Sequence, residues 1–150
     1  ERQKRSIEAA RCYGAAVEMK PGFTAAHENL GHLLLTLGDL APAHRHLAAA
    51  HRLDPGNPVT LNNLGLLLRK EGQPDEAVRM FRQALAINPN IQVFHVNLVE
   101  AFLSTGRTND AATAFEAALR RHPDWAGIPQ IAGLAERIGR TGAAGNTNRP

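Results

Sequence analysis

The sequence contains one cysteine, Cys12, so it has no second thiol for an intrachain disulfide. It has no apolar run approaching the length of a membrane-spanning helix. The formal net charge is only +3, and the basic residues are scattered rather than gathered into one stripe with aromatic residues. These absences argue against a disulfide framework, membrane insertion and nucleic-acid binding. A lone cysteine favours the cytoplasm and leaves the periplasm open.

Motifs of catalysis and cofactor binding are also missing: the sequence contains no phosphate loop, nucleophile elbow or dinucleotide fingerprint. His27 and His32 lie five residues apart, whereas zinc-binding histidines on one helix face lie four apart. His44, His46 and His51 have no metal-site spacing and are expected on a solvated outer face. The sequence therefore predicts a non-enzymatic protein without a metal or cofactor.

The most regular feature that is present is a period of 34 residues. Prolines recur at this interval, and small, aliphatic and aromatic residues keep the same interval. These series are Pro21, Pro55, Pro89 and Pro123; Gly38, Gly72 and Gly106; Ala43, Ala77 and Ala111; Leu47, Phe81 and Phe115; and Leu30, Leu64 and Leu98. Because many independent positions keep one period, the chain is predicted to be a repeat protein.

Each repeat unit is predicted to be a helical hairpin. Apolar residues follow helical spacing in two segments of each unit, as Leu30, Leu34 and Leu37 do in one of them. A glycine is expected to end the first helix and a proline the second. The predicted all-α domain covers 1–139, with a half repeat at 1–23, repeats at 24–57, 58–91 and 92–125, and a half repeat at 126–139. The tail at 140–150 is predicted to be disordered or a linker.

This pattern resembles the tetratricopeptide repeat (TPR) family over about residues 5 to 139. The second unit matches the family signature best, at Leu64, Gly65, Leu68, Ala77, Phe81, Ala84 and Pro89. The first aromatic position of the signature is occupied instead by His27, Leu61 and His95. The resemblance implies a right-handed α-solenoid of TPR hairpins, whose first helices line a concave groove that binds a protein or peptide.

Repeat phase, combined with this resemblance, predicts which residues face the groove. The candidates for peptide binding are Glu28, Asn29 and His32 in the first repeat; Asn62, Asn63, Leu66 and Arg69 in the second; and Val93, Val96, Asn97 and Glu100 in the third.

Three of these candidates, Asn29, Asn63 and Asn97, stand at the same repeat position. A primary amide both donates and accepts, so it can pair with a peptide backbone whatever the peptide sequence. The series resembles the asparagine ladder in the repeat arms of O-linked N-acetylglucosamine transferases. The alternative is that these amides bond neighbouring helices, as buried polar groups usually do.

The last predicted helix carries an apolar stripe, Ile131, Leu134 and Ile138, which no later helix covers. We expect this stripe to meet a second copy of the chain or another part of a longer protein. Three functions stay open: a protein or peptide interaction scaffold, which leads; the substrate-recruiting region of a larger enzyme such as a glycosyltransferase; and a self-assembly element.

Overall fold

The computed structural model describes the backbone of residues 2–145 and the side chains of residues 5–141. This part of the chain is all-α and contains no strand. Its helices are α1 (Arg2–Met19), α2 (Thr24–Leu37), α3 (Leu40–Leu53), α4 (Pro58–Lys70), α5 (Pro74–Ile87), α6 (Gln92–Ser104), α7 (Thr108–Arg121), a 3₁₀-helix (Pro123–Gly127) and α8 (Pro129–Gly145). None of them is long and apolar enough to cross a membrane.

The helices form an α-solenoid, as the 34-residue period predicts. Each helix packs against the next, so α2 with α3, α4 with α5 and α6 with α7 form successive hairpins. The helices α2, α4, α6 and α8 also contact one another in order, whereas α3, α5 and α7 do not. The first helices therefore make one continuous inner layer, and the second helices make the outer layer.

Glycine ends the first helix of each hairpin, as predicted. Gly38, Gly72 and Gly106 have φ angles of 88°, 78° and 71°, in the left-handed region that a Cβ disfavours. At the start of α4, the side-chain oxygen of Asn57 accepts hydrogen bonds from the amides of Val59 at 2.9 Å and Thr60 at 3.2 Å. A left-handed glycine thus follows each of α2, α4 and α6, and a side-chain cap starts α4, whereas α2 and α6 begin without one.

Small residues let the two helices of a hairpin approach closely. A Cβ added to Gly65 would lie 2.5 Å from the ring of Phe81, which is fully buried. At the equivalent place in the third hairpin, the buried Val99 replaces the glycine. The α6–α7 hairpin is accordingly more open than the α4–α5 hairpin.

Two of the predicted aromatic positions hold histidines that tie one repeat to the next. His27 Nε2 donates to the carbonyl oxygen of Pro21 at 3.0 Å, and His95 Nε2 donates to that of Pro89 at 2.9 Å. His46, which we expected to be solvated, is instead half-buried with its Nδ1 3.1 Å from His27 Nδ1. The solvated outer-face expectation is wrong for His46, because its helix packs this ring against the repeat junction. It is also wrong for His51, which is half-buried with its Nδ1 shielded from solvent, whereas His44 is exposed.

The predicted disordered tail is wrong over part of its length. The helix α8 continues to Gly145 and so includes residues 140–145, while 146–150 lie outside the described residues. Helical hydrogen bonds continue because no proline interrupts this segment before its end.

Two of the three residues in the apolar stripe of α8 are covered by their own chain, which corrects the self-association expected of Ile131 and Leu134. Ile131 and Leu134 are only 4% and 3% exposed. Leu134 joins the core formed by α5, α6 and α7, with Ile138 packed against it, and Ile131 packs with Trp125 of the 3₁₀-helix. Because the 3₁₀-helix turns α8 back onto α6 and α7, Ile131 and Leu134 are not available to a second chain, whereas Ile138 is only partly buried.

Candidate functional site: a pocket on the inner helix layer

A cavity of about 390 Å³ opens on the inner layer between α4 and α6. We call it the inner pocket. Its lining is His32 from α2; Pro58, Val59, Asn62, Asn63 and Leu66 from α4; Asn88 and Ile91 from the loop before α6; and Val93, Phe94 and Asn97 from α6. Six predicted groove residues are thus brought together: His32, Asn62, Asn63, Leu66, Val93 and Asn97.

Aliphatic side chains at the inner pocket remain open to solvent. Val59 and Val93 are 45% and 47% exposed and occupy the same position in successive repeats. Ile91 adds a third exposed aliphatic group, and Phe94 is buried. The lining contains no aspartate, glutamate, lysine or arginine. The pocket therefore favours an uncharged, apolar group.

Two of the amides at the pocket bond to each other. Asn97 Nδ2 donates to Asn62 Oδ1 at 2.8 Å, which links α6 to α4. Asn62 and Asn97 are 5% and 8% exposed. For Asn97 the structure thus supports the alternative, a bond between neighbouring helices, because its amide NH₂ group donates to α4.

The amide of Asn63 has a different environment. Asn63 is 5% exposed and lines the inner pocket, yet its side chain has no hydrogen-bond partner among the described residues. Its amide atoms are not among the buried side-chain atoms that lack a partner in the described part of the chain, so water in the pocket can still reach them. A ligand that covers this amide must replace the hydrogen bonds to water, because an unpaired buried group costs about 1–3 kcal/mol. Asn29, at the same repeat position, is exposed on α2. The predicted ladder therefore consists of three unlike sites.

The predicted acidic residues lie outside the pocket lining and have partners of their own. Glu28 Oε2 accepts a hydrogen bond from Thr60 Oγ1 at 2.7 Å. Glu100 forms a bidentate ion pair with Arg137 of α8, in which Arg137 Nη2 lies 2.9 Å from Glu100 Oε2. Both carboxylates thus link inner helices rather than face the pocket.

Two further predicted residues do not reach the inner pocket. Val96 is 5% exposed and packs with Ala118 and Trp125, so its assignment to the groove is wrong. It points to the outer layer because it lies one residue from Asn97 on a helix, about 100° around the axis. Arg69 is half-buried in the last turn of α4, away from the pocket lining.

Some lining residues were missed by the analysis of repeat phase: Pro58, Asn88, Ile91 and Phe94. Ile91 and Asn88 lie in the loop that follows α5, where helical phase gives no direction. The valines that recur at Val59 and Val93 mark this end of the inner helices, and Val93 was among the predicted groove residues.

A second cavity of about 400 Å³ lies between α1 and α3. It is lined by Val17, Pro21, His27, Ala49, Arg52 and Leu53. Among the residues whose side chains are described, no group of three or more histidine, cysteine or acidic residues is placed to hold a metal ion. This cavity has fewer hydrogen-bonding side chains than the inner pocket, so we place the candidate site at the inner pocket.

Two sequence models described as tetratricopeptide repeat match the chain, one at residues 24–90 and the other at 68–138. Together they cover the inner pocket and the three hairpins. Among curated protein sequences, none matches the chain significantly.

Solved structures share the fold. A thermophilic TPR protein of Thermus thermophilus is 22% identical, with a TM-score of 0.80 over 91% of this chain and 75% of that one. A mutant O-GlcNAc transferase of Thermobaculum terrenum is 24% identical, with a TM-score of 0.74 over 78% of this chain and 23% of that one. MamA is 16% identical, with a TM-score of 0.72 over 97% of this chain and 93% of that one. At these identities the likeness extends to the fold alone.

Proposed function

The chain belongs to the tetratricopeptide repeat family, and from this premise we propose that it binds an extended peptide segment of a partner protein along α2, α4 and α6. The repeats of this family form non-catalytic scaffolds for protein interaction. One observation carries the finer proposal: exposed aliphatic side chains and the unpartnered amide of Asn63 meet in a single pocket on the inner layer.

An extended segment matches this surface in both shape and chemistry. The inner helices lie side by side, so a segment crossing them meets equivalent positions in turn, as at Val59 and Val93. An extended peptide has unpaired backbone amides and carbonyls along its length, and Asn63 offers the complementary donor and acceptor. The aliphatic groups would leave water on binding, which is favourable.

A second candidate is that the chain recruits substrates for a larger enzyme such as a glycosyltransferase. The shared fold with the transferase of Thermobaculum terrenum motivates it, and this chain spans 23% of that protein. The same groove would then hold a substrate peptide. Sequencing the gene on both sides of this segment distinguishes the two, because only the second requires a catalytic domain in the same protein.

The proposal is tested by selecting peptides from a random library and mapping where they bind. Hydrogen exchange of the chain, measured with and without a selected peptide, should show protection concentrated in α2, α4 and α6. The outer helices α3, α5 and α7 provide the internal comparison. Protection confined to the outer helices, or a library that yields no binder, would contradict the proposal.

A further inference from the structure

We propose that the inner pocket selects an uncharged peptide segment with one aliphatic side chain, which inserts between Val59 and Val93 while Asn63 hydrogen-bonds an adjacent peptide group. This inference rests on the proposed function, because it assumes that a segment lies along the inner helices. It adds the chemical class of the side chain that enters the pocket.

The walls of the inner pocket determine the side chain that fits. Val59, Ile91 and Val93 are all at least 36% exposed although they lie together. Leu66 and Phe94 continue the apolar lining inwards. The volume of about 390 Å³ falls within the range of pockets that hold ligands, about 300–1,000 Å³. An aliphatic side chain inserted here would cover apolar surface that the fold leaves in water.

The amide of Asn63 points to a peptide rather than a lipid. Asn63 is only 5% exposed, but its polar atoms still reach solvent through the pocket, and they have no hydrogen-bond partner among the described residues. A lipid chain would fill the cavity and leave both ends of this amide unpaired. A peptide group offers a carbonyl to the Asn63 NH₂ and an N–H to its oxygen. The occupant that satisfies the pocket is therefore a peptide.

The charges around the pocket indicate that the segment is uncharged at this point. Apart from the imidazole of His32, no ionisable side chain lines the cavity, and the carboxylates of Glu28 and Glu100 are bonded to Thr60 and Arg137. A charged peptide side chain would lose water here without gaining a partner of opposite charge. We expect selected peptides to exclude Asp, Glu, Lys and Arg at the position that enters the pocket.

The test compares matched variants on selected peptides. Val93→Asp puts a carboxylate into the pocket, and the fold should tolerate it because Val93 lies in the first turn of α6, where acidic residues are favourable. Ile87→Asp is the control, since Ile87 is 49% exposed and lies outside the pocket. We expect Val93→Asp to weaken peptide binding by about ten-fold or more and Ile87→Asp to change it by less than about two-fold.

Two further variants keep the test independent of folding. Ile91→Asp introduces a charge at the N-cap of α6, where aspartate stabilises the helix, and should also weaken binding by about ten-fold. Asn63→Ala should weaken binding by about five-fold or more without lowering the midpoint of thermal unfolding, because no intrachain bond is lost. Circular dichroism of each variant establishes that it is folded.

The outcomes separate this inference from the proposed function. Peptides that protect α2, α4 and α6 but show no aliphatic preference, and that bind the Val93→Asp and Ile91→Asp variants as tightly as the parent, would overturn the inference alone. Failure of every peptide to protect the inner helices would overturn the proposed function. Neutral detergent that binds the pocket and is unaffected by Asn63→Ala, when no peptide does so, would overturn the assignment to a peptide.

Discussion

The side-chain amide of Asn97 donates a hydrogen bond to Asn62 Oδ1 across 2.8 Å, joining two successive inner helices. Asn63 is the next residue along α4 and has the same small exposed fraction as Asn62, but it has no such bond among the described residues. Two asparagines at the same repeat position, Asn63 and Asn97, therefore differ in role: one holds helices together, and the other is available to a ligand.

This difference predicts opposite effects of two alanine substitutions on stability. Asn97→Ala leaves the buried oxygen of Asn62 without its donor, so it should lower the free energy of unfolding by about 1–3 kcal/mol. Asn63→Ala removes an unpaired amide and should change it by less than about 0.5 kcal/mol or raise it. Urea unfolding of both variants measures the difference. A larger loss for Asn63→Ala than for Asn97→Ala would show that the roles are reversed.

The close packing of α4 on α5 predicts that Gly65→Ala is destabilising. The new Cβ would lie 2.5 Å from Phe81 Cε1, and the ring of Phe81 is fully buried. We expect a loss of about 1–3 kcal/mol in the free energy of unfolding. Gly133→Ala in α8 is the control, because a Cβ there meets nothing within 4 Å and should stabilise the helix by about 0.5–1 kcal/mol. Equal effects of the two changes would argue against a steric cause.

Stability is predicted to decrease as the pH falls below about 6.5, the ordinary histidine pKa. Burial lowers the pKa of His46, and the nearby His27 and Arg45 lower it further. Burial also lowers the pKa of His95, which outweighs the opposing effect of its bond to Pro89. The unfolded chain therefore takes up protons that the folded chain does not, so unfolding is favoured at acidic pH.

Urea unfolding at several values between about pH 8 and pH 5 measures this dependence. The double variant with His46→Gln and His95→Gln should show a shallower decrease over the same range, because neither position then titrates. A parent protein whose stability rises on acidification, or a double variant with an unchanged slope, would contradict the assignment to these two histidines.

The packing of α8 predicts that Leu134→Ala destabilises the chain without changing its association. Leu134 is 3% exposed within the core of α5, α6 and α7, and comparable substitutions cost about 2–5 kcal/mol. Thermal unfolding measures this loss, and sedimentation measures the mass in solution. The exposed Gln130→Ala is the control on the same helix. A variant of unchanged stability that dissociates from a dimer would restore the self-association first expected of Leu134.

The hairpins could be predicted from the sequence because their boundaries depend on local chemistry. A glycine such as Gly72 adopts the left-handed conformation without a Cβ clash. A proline such as Pro89 ends a helix whatever the position of the repeat in the array. Repeat phase also predicted that His32 and Leu66 face the inner layer, and both line the inner pocket.

What the sequence could not give were the relationships between repeats. The bond of Asn97 to Asn62 depends on the distance between two helices, and not on the phase of either. The covering of Leu134 depends on the direction in which the 3₁₀-helix turns the chain. Both outcomes are set by three-dimensional packing, which residue spacing along one helix does not encode.

The bonds of His27 and His95 to the repeat prolines place a chemically reactive side chain at two of the repeat junctions. Their Nε2 atoms are engaged with Pro21 and Pro89, whereas His32 is exposed on the inner layer. Repeat proteins open in local steps, so a reagent that acylates imidazole nitrogen should react faster with the buried His27, and with the engaged Nε2 of the half-buried His95, when their junctions separate. The rates of acylation at His27 and His95, read against His32, would time the opening of the first and third junctions separately. The chain thus contains two internal probes of the order in which its repeats separate during unfolding.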